Sequence, residues 1–62
     1  MRTWLIEART QKGLTQKDVA ELVHISQPSI CDIEQGNKTP RPDTAKRIAK
    51  VLGFDWTRFF EQ

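Results

Sequence analysis

Apolar residues recur along the chain three and four positions apart, and no segment alternates apolar and polar residues as a β-strand would. Gly13, Gly36 and Gly53 follow three of these periodic segments, and glycine is a common stop signal after a helix. The pattern therefore predicts an all-α fold built from five short helices, at about residues 2–12, 16–23, 27–35, 43–52 and 56–61.

The predicted start of helix 3 contains a proline in the segment Ser26-Gln27-Pro28-Ser29. Proline loses little in the first turn of a helix, where its missing N–H would have no partner. Ser26 is the expected cap, and its hydroxyl should reach the N–H of Ser29 because Pro28 has none. Gln27 is the alternative cap, because the residue before a proline avoids the helical region.

The connection between helices 2 and 3 is only three residues long, from His24 to Ser26. Thr15 and Asp18 should cap the start of helix 2 as a variant of the capping box. A helix that ends and is followed at once by another needs a left-handed residue, and His24 occupies that place. So short a turn makes the two helices cross steeply, which is the geometry of a helix-turn-helix.

Helix 3 carries its apolar residues, Ile30 and Ile33, on one side and short polar residues on the other. In helix-turn-helix geometry the second helix enters the major groove of DNA. A glutamine can pair with adenine through two hydrogen bonds, and an aspartate can accept one from cytosine. The outward residues of this predicted recognition helix are Gln27, Pro28, Ser29, Cys31 and Asp32.

The chain has 62 residues and a net charge of +2, which suit a single small domain and give only weak evidence for a nucleic-acid partner. Four basic residues lie in segments that could flank helix 3 and contact phosphates, namely Lys12, Lys17, Lys38 and Arg41. A single cysteine excludes an internal disulfide, and no signal peptide or membrane span is visible. We therefore expect a cytoplasmic protein with a reduced thiol at Cys31.

The segment "GLTQKDVAELVHISQPSICDIEQG" resembles the phage repressor and Cro-like helix-turn-helix family. The shared features are the Gly-Leu-Thr-Gln opening, the Ile-Ser before helix 3 and the Ile-x-x-Ile-Glu-x-Gly at its end. The likeness continues through Pro40 and "TAKRIAKVLGFDWTRFF", so it covers essentially the whole chain. It implies a compact, lambda-repressor-like DNA-binding domain over residues 1–62, with helix 2 at about 16–23 and the recognition helix at about 27–35.

The resemblance also implies roles for individual residues. Gln16 would bind a phosphate and brace Gln27, and Arg9 would form an internal ion pair with Glu34. The base-reading positions would be Gln27, Pro28 and Asp32, with Cys31 beside them. Ser29, Asn37 and Lys38 would lie near the DNA backbone.

The chain departs from the family's pattern at two positions. His24 stands where glycine is common, so the turn could be strained. Pro28 replaces a residue that often bonds to bases, so it could make only apolar contact, for example with a thymine methyl group.

Other interpretations of these residues remain open. Asp32 could serve only to repel phosphate and exclude wrong sites. Metal binding by His24 and Cys31 lacks further ligands, and a catalytic pair of the two lacks a third group, so we expect no metal, no cofactor and no enzyme activity. Most aromatic residues should complete the core, but an exposed C-terminal helix could form a homodimer through Trp56, Phe59 and Phe60.

These observations predict a sequence-specific transcriptional regulator that binds a double-stranded DNA operator. We expect a repressor of phage or mobile-element type, acting by occupying the operator. An antitoxin or adaptor that uses the same fold to bind a partner protein is the main alternative. The chain could also be the N-terminal part of a longer regulator.

Overall fold

The computed structural model describes residues 1–61, and in that part of the chain it contains four α-helices, one 3-10 helix and no strand. The all-α prediction is confirmed, but the prediction of a fifth α-helix is wrong. The C-terminal segment is a 3-10 helix held by bonds such as Arg58 N–H to Asp55 O at 3.0 Å. The elements are α1 (Thr3–Gln11), α2 (Gln16–Val23), α3 (Gln27–Gln35), α4 (Pro42–Leu52) and the 3-10 helix (Trp56–Phe60).

Side-chain caps fix the N-termini of α2 and α3. The Thr15 hydroxyl accepts from the Asp18 N–H at 3.0 Å while the Asp18 carboxylate accepts from the Thr15 N–H at 2.9 Å, which completes a capping box. The Thr15 backbone N–H, followed by its hydroxyl, lowers the pKa of Asp18. At α3 the Ser26 hydroxyl accepts from the Ser29 N–H at 3.3 Å, so Ser26 is the cap and the alternative, Gln27, is already helical.

The start of α4 differs from the prediction. The sequence pattern predicts a start at Asp43, but the helix begins at Pro42 and the flanking residue is Arg41, which provides no side-chain cap. Proline is suited to the first helical position because its fixed φ is already close to helical. Asp43 lies in the first turn, where its negative charge favours the helix dipole.

Three helices end on a residue in the left-handed region: His24 (φ 62°) after α2, Gly36 (φ 84°) after α3 and Gly53 (φ 81°) after α4. The next residue then donates its N–H to a carbonyl five positions back, as Ile25 does to Ala20 at 3.0 Å. His24 is the only non-glycine residue with positive φ in the described part of the chain. The sequence prediction of a left-handed turn residue at this position is therefore confirmed.

The core lies where α2 packs against α3 and α4, and the 3-10 helix closes it at the end of α4. The rings of Trp4, Phe54 and Phe59 pack edge to face or tilted, with centroids 5.1–5.5 Å apart. Phe59 is only 5% exposed, so its expected part in a dimer surface is corrected: it is a core residue. The buried apolar side chains are Leu5, Val19, Ala20, Val23, Ile30, Ile33, Ala45, Ile48, Ala49, Leu52 and Phe59.

We predict that His24→Gly raises the free energy of unfolding by up to about 1 kcal/mol, because glycine enters the left-handed region without the steric cost of a Cβ. Urea denaturation of the two proteins measures the difference. Glu21→Gly, at an exposed position within α2, is the matched control and should lower stability by about 1 kcal/mol. A similar loss in both variants would show that the His24 imidazole makes a stabilising contact.

Candidate nucleic-acid interface

One side of α3 is buried and the other is open to solvent. Ile30, Ile33 and Glu34 are at most 3% exposed and face the rest of the domain. The opposite side carries residues spaced three and four positions apart, which a helix brings onto one face. Of the predicted base-reading residues, Gln27, Pro28 and Asp32 are exposed and Cys31 is half-buried. We call this side of α3 the outward face.

Gln35 also lies on the outward face, although it is not among the outward residues predicted from the sequence. Its side-chain Nε2 donates to Cys31 Sγ at 3.3 Å, and its Oε1 accepts from Asn37 Nδ2 at 3.3 Å. This chain of bonds orients Cys31 and joins the end of α3 to the following loop. Gln35 lies four positions after Cys31 and three positions after Asp32 in the sequence. Residues at these spacings share one face of a helix, so the sequence does contain the signal that would place Gln35 there.

Ser29 lies at the edge of the outward face, where it is half-buried. Its hydroxyl is 2.8 Å from the hydroxyl of Ser26. This contact links the capping residue to the first turn of α3. Next to this turn is a small cleft of about 270 Å³ between α3 and the α3–α4 loop. Its lining residues are Ile25, Ser29, Ile33, Lys38, Thr39, Pro40, Arg41 and Thr44.

A buried carboxylate fixes α3 from the inside. The side chain of Glu34 is 3% exposed and forms a salt bridge with Arg9 of α1, with Nε 2.6 Å from Oε2. Arg9 also donates from Nη2 to Oε1 at 3.3 Å and from Nη1 to the carbonyl of Leu14 at 2.9 Å. Two parallel bonds from one guanidinium give the pair directional strength as well as charge neutralisation.

Gln16 completes this arrangement, because its Nε2 donates to Glu34 Oε1 at 2.9 Å. The resemblance implied that Gln16 braces Gln27, but the bond seen here goes to Glu34 instead. Gln16 is half-buried at the start of α2, with Lys17 exposed next to it. Its contact with phosphate therefore remains a prediction.

Arg2 holds the loop that follows α3, and nothing in the local sequence pattern pointed to it. Its Nη1 donates to the carbonyls of Ile33 at 2.6 Å and Lys38 at 2.9 Å, and its Nη2 donates to the hydroxyl of Thr39 at 3.1 Å. Its backbone N–H donates to the carbonyl of Glu34 at 2.6 Å. These partners are more than 30 positions away, so only the folded chain reveals the contact.

The positive charges lie beside the outward face and not on it, because α3 contains no lysine or arginine. Lys38 and Arg41 are exposed on the α3–α4 loop and line the cleft next to Ser29, and Asn37 is exposed at the start of that loop. The positive charges of Lys38 and Arg41 could therefore bind the phosphates of a nucleic acid that lies along α3.

Residues 1–61 lack the features of two other classes of site. No group of three or more His, Cys, Asp and Glu side chains is close enough to hold a metal ion. No helix in this range is long and apolar enough to cross a membrane.

Residues 5–59 match the protein family described as helix-turn-helix. The chain is 44% identical over 61 residues to the uncharacterized HTH-type transcriptional regulator YqaF of Bacillus subtilis, covering 98% of this chain and 80% of that protein. It is 42% identical over 53 residues to an uncharacterized HTH-type transcriptional regulator of Methanothermobacter thermautotrophicus, covering 86% and 77%. The HTH-type transcriptional regulator PuuR of Escherichia coli is 36% identical over 58 residues, which are 94% of this chain and 31% of PuuR. No solved structure matches the chain significantly.

We predict that Glu34→Ala lowers the free energy of unfolding by about 3 kcal/mol or more, because it leaves the Arg9 charge without its partner in a largely buried place. Replacing both residues, as Arg9→Met with Glu34→Leu, should recover much of this loss. Urea denaturation of the three proteins provides the measurement.

The control for this series is Asp43→Ala. Asp43 is 3.7 Å from Arg47 in an exposed pair with side chains 75% and 47% accessible. Its removal should lower stability by no more than about 1 kcal/mol, through the loss of an exposed pair and of a favourable charge in the first turn of α4. A loss below about 1 kcal/mol for Glu34→Ala would contradict the structural role given to the buried pair.

Proposed function

Because this chain belongs to the helix-turn-helix family, we propose that it is a DNA-binding transcriptional regulator that places α3 in the major groove of an operator. The observation that carries the proposal is the combination of a short, well-capped turn with an outward face on α3 whose Gln27, Pro28 and Asp32 are exposed to solvent. The left-handed His24 and the Ser26 cap hold α3 against α2, while Gln27, Pro28 and Asp32 stay exposed. Relatives named HTH-type transcriptional regulators support the same function.

In this proposal the outward face reads the bases. Gln27 has a donor and an acceptor for adenine, Asp32 has only acceptors, and the ring of Pro28 can contact a thymine methyl group. Cys31 is oriented by Gln35 beside them and contributes a small, weakly polar contact. All four base contacts remain proposals.

The surrounding elements would contact the phosphates. Lys38 and Arg41 supply positive charge from a loop that Arg2 holds in place, and Ser29 lies next to them at the cleft. Half or more of the hydrogen bonds in protein–DNA complexes go to the backbone, so a set of this kind is expected. The proposed phosphate contacts are Gln16, Lys17, Ser29, Asn37, Lys38 and Arg41.

We further propose repression by occupancy, in which the protein bound at an operator of phage or mobile-element type excludes polymerase. A homodimer would place two copies of α3 about one turn of DNA apart on a two-fold site. Near the C-terminus, the aromatic residues that could form the dimer surface are reduced to Trp56 and Phe60. Their rings meet edge to face, with centroids 5.9 Å apart. Phe60 is 45% exposed, whereas Trp56 is half-buried and covered in part by Lys46.

A second candidate is that the protein binds a partner protein, as an antitoxin or adaptor. The observation in its favour is Leu22, a large apolar residue of α2 that is 54% exposed. A single exposed leucine is common on protein surfaces, so this candidate has the weaker support.

Selection of bound duplexes from a random DNA library tests the function. The selected duplex should then be titrated against scrambled DNA at two salt concentrations. A two-fold symmetric motif with a preference of about 10³ or more would support a dimeric operator-binding regulator. Weak binding without sequence preference would contradict it and favour the partner-protein candidate.

We predict that Gln27→Ala weakens binding to the selected duplex by about 1–3 kcal/mol and relaxes the preference at one base position. The physical reason is the loss of two hydrogen bonds to one base edge. Repeating the selection with the variant identifies the position. An equal loss on every sequence would instead make Gln27 a phosphate contact.

We predict that Lys38→Ala lowers affinity for selected and scrambled DNA alike and reduces the slope of log affinity against log salt by about one unit. The reason is that one fewer phosphate is neutralised and fewer counterions are released. Lys50→Ala, at an exposed position in the last turn of α4, is the matched control. An unchanged slope for Lys38→Ala would remove this residue from the interface.

A further inference from the structure

Most polar side chains on or beside the outward face of α3 already have partners within the protein. The Ser29 hydroxyl is bonded to that of Ser26 at 2.8 Å. Cys31 Sγ accepts a hydrogen bond from Gln35 Nε2, and Gln35 Oε1 accepts one from Asn37 Nδ2. Within residues 1–61 the side chains of Gln27 and Asp32 make no such bonds, so these two residues supply the polar groups open to a ligand.

Asp32 imposes the strictest condition on that ligand. Its carboxylate is exposed, and no salt bridge in the described part of the chain includes it. Neither is there a lysine or arginine on α3 to neutralise it. An ionised carboxylate accepts hydrogen bonds and donates none, and removing it from water without a donor is costly. A DNA surface packed against Asp32 must therefore offer an N–H group.

The major groove offers N–H groups on only two bases. Adenine presents its N6 amino group and cytosine its N4 amino group, whereas guanine presents only acceptors and thymine an acceptor and a methyl group. The usual partner of guanine is an arginine or lysine, which α3 lacks. Gln27 pairs best with adenine, and the exposed ring of Pro28 suits a thymine methyl group.

We propose that α3 reads its half-site through the amino groups of adenine and cytosine, and that a methyl group on those nitrogens blocks binding. The inference rests on the proposed function and adds the class of DNA recognised and its sensitivity to modification. In a base pair, one amino hydrogen bonds to the partner base and the other faces the major groove. Methylation of the nitrogen replaces the second hydrogen and leaves base pairing in place.

The test uses the whole chain and the duplex obtained by selection. Each duplex of a set carries a single methylated base, either N6-methyladenine or N4-methylcytosine. Across the set, every adenine and cytosine of one half-site is methylated in turn, and fluorescence anisotropy measures the affinity of the protein for each duplex. We expect methylation to reduce affinity about tenfold or more at one or two positions, as the loss of a good base contact would. The same methyl groups placed outside the half-site should have no effect.

Variants then assign each sensitive position to a residue. The effect of methylation at one position should disappear in Asp32→Ala, and the effect at another should disappear in Gln27→Ala. Asp43→Ala removes an exposed carboxylate from the first turn of α4, outside the outward face of α3, and should keep every effect of methylation.

The possible failures are distinguishable. If no duplex is bound above the random background, the proposed function is wrong, and this inference with it. If a duplex is bound specifically but no methyl group lowers the affinity, or every effect of methylation persists in both Asp32→Ala and Gln27→Ala, the inference is wrong while DNA recognition stands.

Discussion

The arrangement of the first three helices depends on a buried negative charge. Glu34 lies on the inward side of α3, where a carboxylate is tolerated only if donors surround it. Arg9 comes from α1 and Gln16 from α2, and both donate to the same carboxylate. The rotation of α3 about its own axis is thereby fixed, because turning the helix would separate the charge from its partners. The direction of the outward face follows from this internal contact.

Features governed by local chemistry could be predicted from the sequence, whereas those governed by distant contacts could not. The Ser26 cap and the left-handed His24 follow from neighbouring residues, and the structure has both. The sequence predicts a start for α4 at Asp43, one residue after the actual start at Pro42, because proline occurs both in loops and at the first position of a helix. Arg2 donates to carbonyls more than 30 positions away, which no periodicity reveals. Phe59 could not be assigned to core or surface until its neighbours were known.

The structure separates the groups that could attract DNA from those that could discriminate among sequences. The exposed cations Lys38 and Arg41 belong to a loop, and the α3 helix beside it carries Asp32 and no positive charge. The α3 helix itself therefore carries no positive charge that would attract phosphate nonspecifically. A negative charge on that helix opposes contact with DNA wherever the bases offer no donor, so it can raise discrimination at the expense of affinity.

The way α3 is held has a consequence for how such a protein could change over time. The helix is positioned by Glu34 on its inner side and by the residues that precede and follow it, namely Ser26 and Gly36. Gln27, Pro28 and Asp32 are exposed and lie outside the buried core, so we expect the scaffold to tolerate their replacement. New sequence preferences could thus arise by single substitutions on the exposed side without passing through unstable intermediates.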